Sequence, residues 1–401
     1  MFSRQVKKGV FVVEALNAFA TTFYFFYFYF FTQEKFGFDR LHNLLLAASF
    51  GLVYVPASIF GGRFAQRHGY FRALRIGFTV MAAALFCGCF LNQLWPHLAV
   101  AMTCNVAMCF TWPTLEGMVS ENEPPRRLQK MLGIYNLVWA AGGATAYFVA
   151  GALIERFGLR ILFVVPATIH LVNLGLTLFL EKKSGRSPAI RPVDGPEKST
   201  VSSPSGLLRS PVSPETFLKM AWLANPFAYL AVNTVIAVIP SMARHLGLSP
   251  RYVGFFCSIW LFVRAASFAA LWQWPGWHYR FRWLATAYAA MVAGFTTILL
   301  APNLAVLIAA QLAFGLALGL IYYSSLYYSM DVGETKGEHG GFHEAAIGAG
   351  NFAGPAIGAT ALAFFPGHEN SSAWAVSGCL LLGLVGLVWL RWKPQPPPAV
   401  N

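Results

Sequence analysis

The chain has 401 residues, of which 57% are hydrophobic, 16% aromatic and only 11% charged, with a net charge of +13. A soluble domain carries roughly 25% charged residues, so this composition excludes a water-soluble globular protein and points to a membrane chain. The basic excess invites a nucleic-acid reading, and the placement of the basic residues removes it.

A hydrocarbon core about 30 Å thick needs roughly 20 apolar residues per helix. Twelve such runs follow one another, at 10–31, 42–60, 74–93, 97–119, 131–154, 161–180, 216–243, 251–273, 282–300, 304–330, 341–365 and 372–391. Barrel strands would be about ten residues long with strict polar alternation, whereas "ILFVVPATIHLVNLGLTLFL" and "LLLGLVGLVWL" are continuous and helical. The start, "MFSRQVKK" followed by apolar residues and "AFA" at Ala18 to Ala20, has the form of a secretory signal. The apolar run continues through "TTFYFFYFYFF" to Phe31, so cleavage would leave half a helix, and the segment reads as span 1.

With the N-terminus in the cytoplasm, 22 of the 29 Lys and Arg fall in cytoplasmic segments and six outside, with Arg264 within a span. The positive-inside rule thus predicts both ends inside, and the +13 is a topological signal that needs no nucleic-acid partner. Cys87, Cys89, Cys104, Cys109, Cys257 and Cys379 all fall inside spans with no metal-type CxxC pair; they read as small packing residues. The segment 181–214 has eight Ser and six Pro and few apolar side chains able to bury a core, so it reads as a flexible cytoplasmic linker. It divides the chain into bundles at 1–180 and 215–392, followed by a disordered tail at 393–401.

The halves look duplicated. After span 2 comes Gln66-Arg67-His68-Gly69 and then "YFRALR"; after span 8 comes Gln273-Trp274-Pro275-Gly276 and then "WHYRFR". Span 5 opens Gly133-Ile134-Tyr135-Asn136 and span 11 opens Gly341-Phe342-His343-Glu344, each leading into a glycine-rich run. The pattern Gly62-x-x-x-Gln66-Arg67-x-Gly69-x-x-Arg72 between spans 2 and 3 of a twelve-span chain resembles the signature loop of the major facilitator superfamily. So do the central linker, the degenerate second loop and the "GLRILF" of 158–163. The resemblance implies an all-α polytopic fold with two pseudo-symmetric six-helix bundles, and a loop (Gly62, Gln66, Arg67, Gly69, Arg72) that latches the halves on the cytoplasmic side. The family usually has an aspartate where Gln66 stands and basic residues where Tyr70 and Phe71 stand, departures that weaken an ionic latch. Its proton antiporters place a Gly-Pro motif in span 5; here Ala146-Tyr147 stands there, which argues against antiport.

Polar residues at spacings of three and four place Glu14, Asn17, Thr21, Tyr24 and Phe28 on one face of span 1, and Asn105, Cys109, Trp112 and Glu116 on one face of span 4. Span 7 offers Asn225, Tyr229, Asn233 and Pro240, and span 10 offers Gln311, Gly315, Tyr322, Ser325 and Ser329. The resemblance implies that these four spans line the solute path. Spans 3, 9 and 12 carry little polar chemistry at mid-depth and read as lipid-facing supports; span 6, with His170 and Asn173, fits that division less well.

A charge at mid-bilayer costs roughly 2.5–3.5 kcal/mol on insertion scales and usually marks function. Arg264 is the strongest case, forming a face with Trp260 and Ser267 suited to an anionic group or to a carboxylate partner such as Glu344 or Glu14. Glu116, nearer a span end, reads as a solvated residue. His339, His343 and Glu344 in "EHGGFHE" lack the spacing of a metal site, and no Gly-Lys dipeptide occurs, so no phosphate-binding loop drives the protein. Gly350-x-x-x-Gly354-Pro355-x-x-Gly358 in span 11, with Asn351 inside it, and Gly142, Gly143 and Gly151 in span 5 allow close helix approach at an interface that rocks.

The sequence therefore predicts a monomeric, non-enzymatic secondary transporter in the inner membrane, without cofactor or metal, moving a small solute by alternating access and coupled to protons. A facilitator without ion coupling and a non-transporting receptor or scaffold of the same fold are the alternatives. The candidate solute- or proton-binding residues are Glu14, Asn17, Thr21, Tyr24, Asn105, Trp112, Tyr229, Asn233, Trp260, Arg264, Gln311, Tyr322, Glu344 and Asn351.

Overall fold

The structure is a computed structural model that describes residues 3–121, 123, 125–185, 212–332 and 339–393, without the side chains of residues 4, 125–129, 330 and 339–343. Most of the expected linker, the tail from 394 onward, and the side chains of His339 and His343 lie outside the described residues.

Among the described residues, fourteen α-helices run in chain order: α1 (Arg4–Phe36), α2 (Arg40–His68), α3 (Tyr70–Gly88), α4 (Leu94–Met108), α5 (Trp112–Ser120), α6 (Pro125–Phe157), α7 (Ile161–Ser184), α8 (Pro214–His245), α9 (Pro250–Cys257), α10 (Ile259–Gln273), α11 (Phe281–Leu299), α12 (Leu304–Val332), α13 (His339–Phe364) and α14 (Ser371–Trp392). With α4–α5 and α9–α10 each forming one span, eleven spans are long and apolar enough to cross a membrane. The twelfth, α11, is less apolar because it carries Arg282, Tyr288 and three threonines, and it packs against α12, α14 and α8. Helix ends follow local chemistry: the hydroxyl of Ser3 accepts from Val6 N, Asp39 Oδ1 from His42 N and Ser213 Oγ from Thr216 N.

Spans 4 and 8, each read as one continuous run, are both broken, into α4 and α5 and into α9 and α10. Pro113, at the start of α5, has no N–H for the carbonyl of Cys109, so the helix cannot run through. Backbone groups freed inside a membrane need partners. Here the Thr111 hydroxyl donates to Met108 O at 2.9 Å and the Thr114 hydroxyl to Phe110 O at 2.7 Å.

The two halves repeat one another. In the first, α1 packs on α6 and α7 and α3 on α7; in the second, α8 packs on α13 and α14 and α11 on α14. Each half thus forms a six-span bundle, and the bundles meet chiefly through α2 against α13 and through α6 against α9 and α10. An even number of spans puts Ser3 and Lys393 on one face, the terminal face.

The opposite face is tightly shut. A Cβ on Gly151 of α6 would sit 1.9 Å from Pro250 O, so only glycine permits the approach. Tyr27 donates to Tyr147 O at 3.2 Å, Glu155 accepts from Ser249 Oγ at 2.9 Å, and Arg40 Nη1 donates to Glu369 O at 2.6 Å. The α2–α13 seam is close as well, since a Cβ on Gly51 would lie 2.2 Å from Phe352 N.

Candidate functional site

A cavity of about 190 Å³ lies between the bundles, walled by α1, α2, α4–α6, α8, α10, α12 and α13. Of the residues singled out from sequence, Thr21, Asn105, Trp112, Tyr229, Asn233, Trp260, Arg264, Tyr322, Glu344 and Asn351 line it. Glu116 does too, in contrast to the solvated helix end expected of it.

Arg264, 7% exposed, lies over two indoles from different halves, 4.5 Å from the Trp139 ring and 5.2 Å from that of Trp260. No carboxylate among the described residues lies within ion-pairing distance of it; the pairs Lys7–Glu123, His42–Asp39 and Arg75–Glu181 all fall in the first half. The alternative reading of Arg264, an ion pair with Glu344 or Glu14, thus has no counterpart among the described residues. Glu344 instead accepts from the Tyr54 hydroxyl at 2.5 Å, a hydrogen bond from α2 to α13 that joins the halves at the cavity wall. Asn105 Nδ2 donates to Phe50 O at 2.9 Å, and Asn233 Nδ2 donates to Asn351 Oδ1 and to Tyr229 O.

Four of the selected residues stand off the cavity. Glu14 is fully buried behind the wall, with no hydrogen bond of normal length to either carboxylate oxygen; the Tyr135 hydroxyl of α6 is the donor beside it. Asn17 donates to Thr111 Oγ1 at 3.4 Å, beside the α4–α5 break. Tyr24 packs against Phe28 and Phe163 in the first-half core. Gln311 Nε2 donates to Phe256 O at 2.8 Å, satisfying a carbonyl next to the α9–α10 break. Gln311→Leu is expected to lower the unfolding temperature of the purified protein by several degrees, because an orphaned buried carbonyl costs about 1–3 kcal/mol. An unchanged thermal-unfolding midpoint would show that the break needs no such support.

Sequence reasoning missed Tyr54, Tyr135 and Trp139, which all line the cavity. Trp139 is its central ring, stacked on Tyr322 at 5.4 Å and edge-on to Trp112 at 6.1 Å. A Tyr or Trp in an apolar run carries no sign of which way it faces, although Tyr135 falls within the Gly133-Ile134-Tyr135-Asn136 stretch that the repeat aligns with span 11.

The signature loop sits on the terminal face. Gly62 is inside α2, and Gln66, Arg67, Gly69 and Arg72 are exposed. The turn from α2 into α3 passes through Gly69 at φ 91°, a left-handed conformation that glycine alone adopts freely. In its second-half counterpart, Trp277 is buried, Tyr279 N donates to Tyr328 Oη at 3.0 Å, and Tyr279 Oη donates to Asp331. The His278 ring stacks on Tyr327 at 4.0 Å, and its burial pushes its pKa down to about 4.

The family profile described as Major Facilitator Superfamily matches residues 10–332. The chain belongs to this superfamily of membrane transporters and is an integral membrane protein. Solved structures agree on the fold. A point mutant of the nucleoside transporter NupG superposes with a TM-score of 0.67 at 15% identity, covering 96% of this chain and 99% of that one. The human organic anion transporter MFSD10 (TETRAN) gives 0.65 at 13%, with 96% and 99% covered. A bacterial homolog of the human lysosomal transporter Spinster, inward-facing and unoccupied, gives 0.65 at 14%, with 96% and 95% covered. No curated protein sequence matches the chain.

Proposed function

We propose that this transporter carries a small organic solute by alternating access, coupled to protons, from an inner membrane in which both termini face the cytoplasm. The basic-residue asymmetry supports that orientation. In it, the tightly shut face is the outer one, and the cavity belongs to an inward-facing or occluded stage of the cycle. The observation that carries the proton reading is Glu14. A carboxylate with both oxygens buried and no hydrogen bond of normal length, the Tyr135 hydroxyl being the donor beside it, is costly to keep ionised. A second carboxylate, Glu344, is bonded to Tyr54 across the bundle interface, so a change in its protonation alters a bond between the halves.

The test uses proteoliposomes and a solute found by thermal-shift screening of purified protein against metabolites and drugs, since ligands of the folded state raise its stability. Accumulation is expected with an imposed proton gradient and is expected to vanish with a protonophore. Accumulation indifferent to the protonophore would remove the proton from the mechanism.

A further inference from the structure

The donors and acceptors around the cavity are distributed unevenly. On α10, Arg264 Nε and, four residues earlier, Trp260 Nε1 are both buried donors without an acceptor, and both side chains border the cavity. A buried donor left unpaired is costly, and a desolvated guanidinium without an anion is costlier. The two indoles under the guanidinium stabilise its charge through their faces, but they accept no hydrogen bond in its plane, where a bidentate acceptor fits.

We propose that Arg264 and Trp260 form the anion-binding pole of a site for a small aromatic monocarboxylate, whose ring stacks among Trp139, Trp112 and Tyr229. The inference rests on the transporter reading and gives its solute a chemical class. Among the described residues a single cation faces this cavity, so one negative charge is matched, whereas a dianion such as a phosphate monoester would be left half compensated beside Glu116 and Glu344. The aromatic body follows from the walls, where the rings of Trp112, Trp139 and Tyr322 adjoin one another. The small cavity volume fits one or two fused rings. Trp139 belongs to the first half and Arg264 to the second, so a solute with its ring on the one and its carboxylate on the other is held by both bundles and senses their relative movement.

Three probes with one ring system and different charge test this: indole-3-acetate, indole-3-acetamide and tryptamine, titrated calorimetrically into the purified full-length protein. Indole-3-acetate is expected to bind about tenfold or more tightly than the amide, the scale of one charge-assisted hydrogen-bonding contact, and tryptamine more weakly still. Arg264→Gln is expected to erase the preference for the acid, while Arg264→Lys, which keeps the charge but loses the planar fork, retains part of it. The wild-type charge series decides the matter even if both variants fail to fold. Equal binding of acid and amide, tighter binding of tryptamine, or binding of none of the three would overturn the proposal. Counterflow of labelled indole-3-acetate in proteoliposomes separates the two readings. Specific binding without counterflow would leave the carboxylate site standing and remove the transporter reading on which it was built.

Discussion

The Glu14→Gln protein is expected to lose gradient-driven accumulation altogether while still exchanging labelled solute between the two sides of a proteoliposome membrane. An elementary charge moving through 100 mV gains about 2.3 kcal/mol, and that energy reaches the solute only through a group that binds and releases the proton within the cycle. Glu14 meets the structural requirements. It lies in α1, which also contributes Thr21 to the cavity wall, and the Tyr135 hydroxyl beside it can donate to an amide oxygen as it can to a carboxylate. Glutamine keeps the volume and removes the titration, so folding should survive. Glu344→Gln and Tyr54→Phe are the informative companions. If Glu14→Gln accumulates normally and Glu344→Gln does not, the proton resides on the carboxylate bonded to Tyr54, and Glu14 is a bystander. If both variants accumulate normally, neither carboxylate carries the proton that drives accumulation, and both merely hold helices together.

The distribution of these residues shows how far the sequence could be read. Spans, basic asymmetry and the duplicated loop are composition-scale signals, and they specified the architecture because each depends on many residues. Faces at spacings of three and four brought out Thr21, Asn105 and Asn233, which do border the cavity. The same rule selected Tyr24, which turns into the core because α1 is flanked by both α6 and α7. It also selected Gln311, whose polarity serves a break in a neighbouring helix that no pattern in span 10 announces. Polarity in a membrane chain marks a need for hydrogen bonds, and broken helices need them as much as solutes do. Glu116 was misjudged for a different reason. Position along a span was taken as depth in water, but the cavity carries a lining well toward the terminal face, and α5 resumes after the Pro113 break with its carboxylate directed into that cavity. Trp139 had no polar signal at all.

Gly151→Leu should abolish transport and open the face opposite the termini. The α6–α9 contact there is a backbone contact: a Cβ on Gly151 would come within 1.9 Å of Pro250 O and 2.6 Å of the Tyr27 hydroxyl, and Gly254 of α9 returns the contact, with its own Cβ position 2.7 Å from Phe148 O. Backbone cannot swing away as a side-chain end can, so the helices must separate. Overpacking a close contact costs about 1–3 kcal/mol. Because that cost falls only on the closed arrangement of this face, the population closed there should drop roughly ten- to a hundredfold. The measurement is the rate at which a membrane-impermeant thiol reagent, added on that side, labels a cysteine placed at the cavity residue Thr22 in a background freed of the native cysteines. Faster labelling together with lost transport is the expected result. Gly378→Leu is the control, since that glycine faces open space within 4 Å and the same added bulk should leave labelling and transport unchanged. Labelling that stays slow in Gly151→Leu would mean that the seal lies elsewhere, along the α2–α13 seam where Gly51 meets the backbone of Asn351 and Phe352.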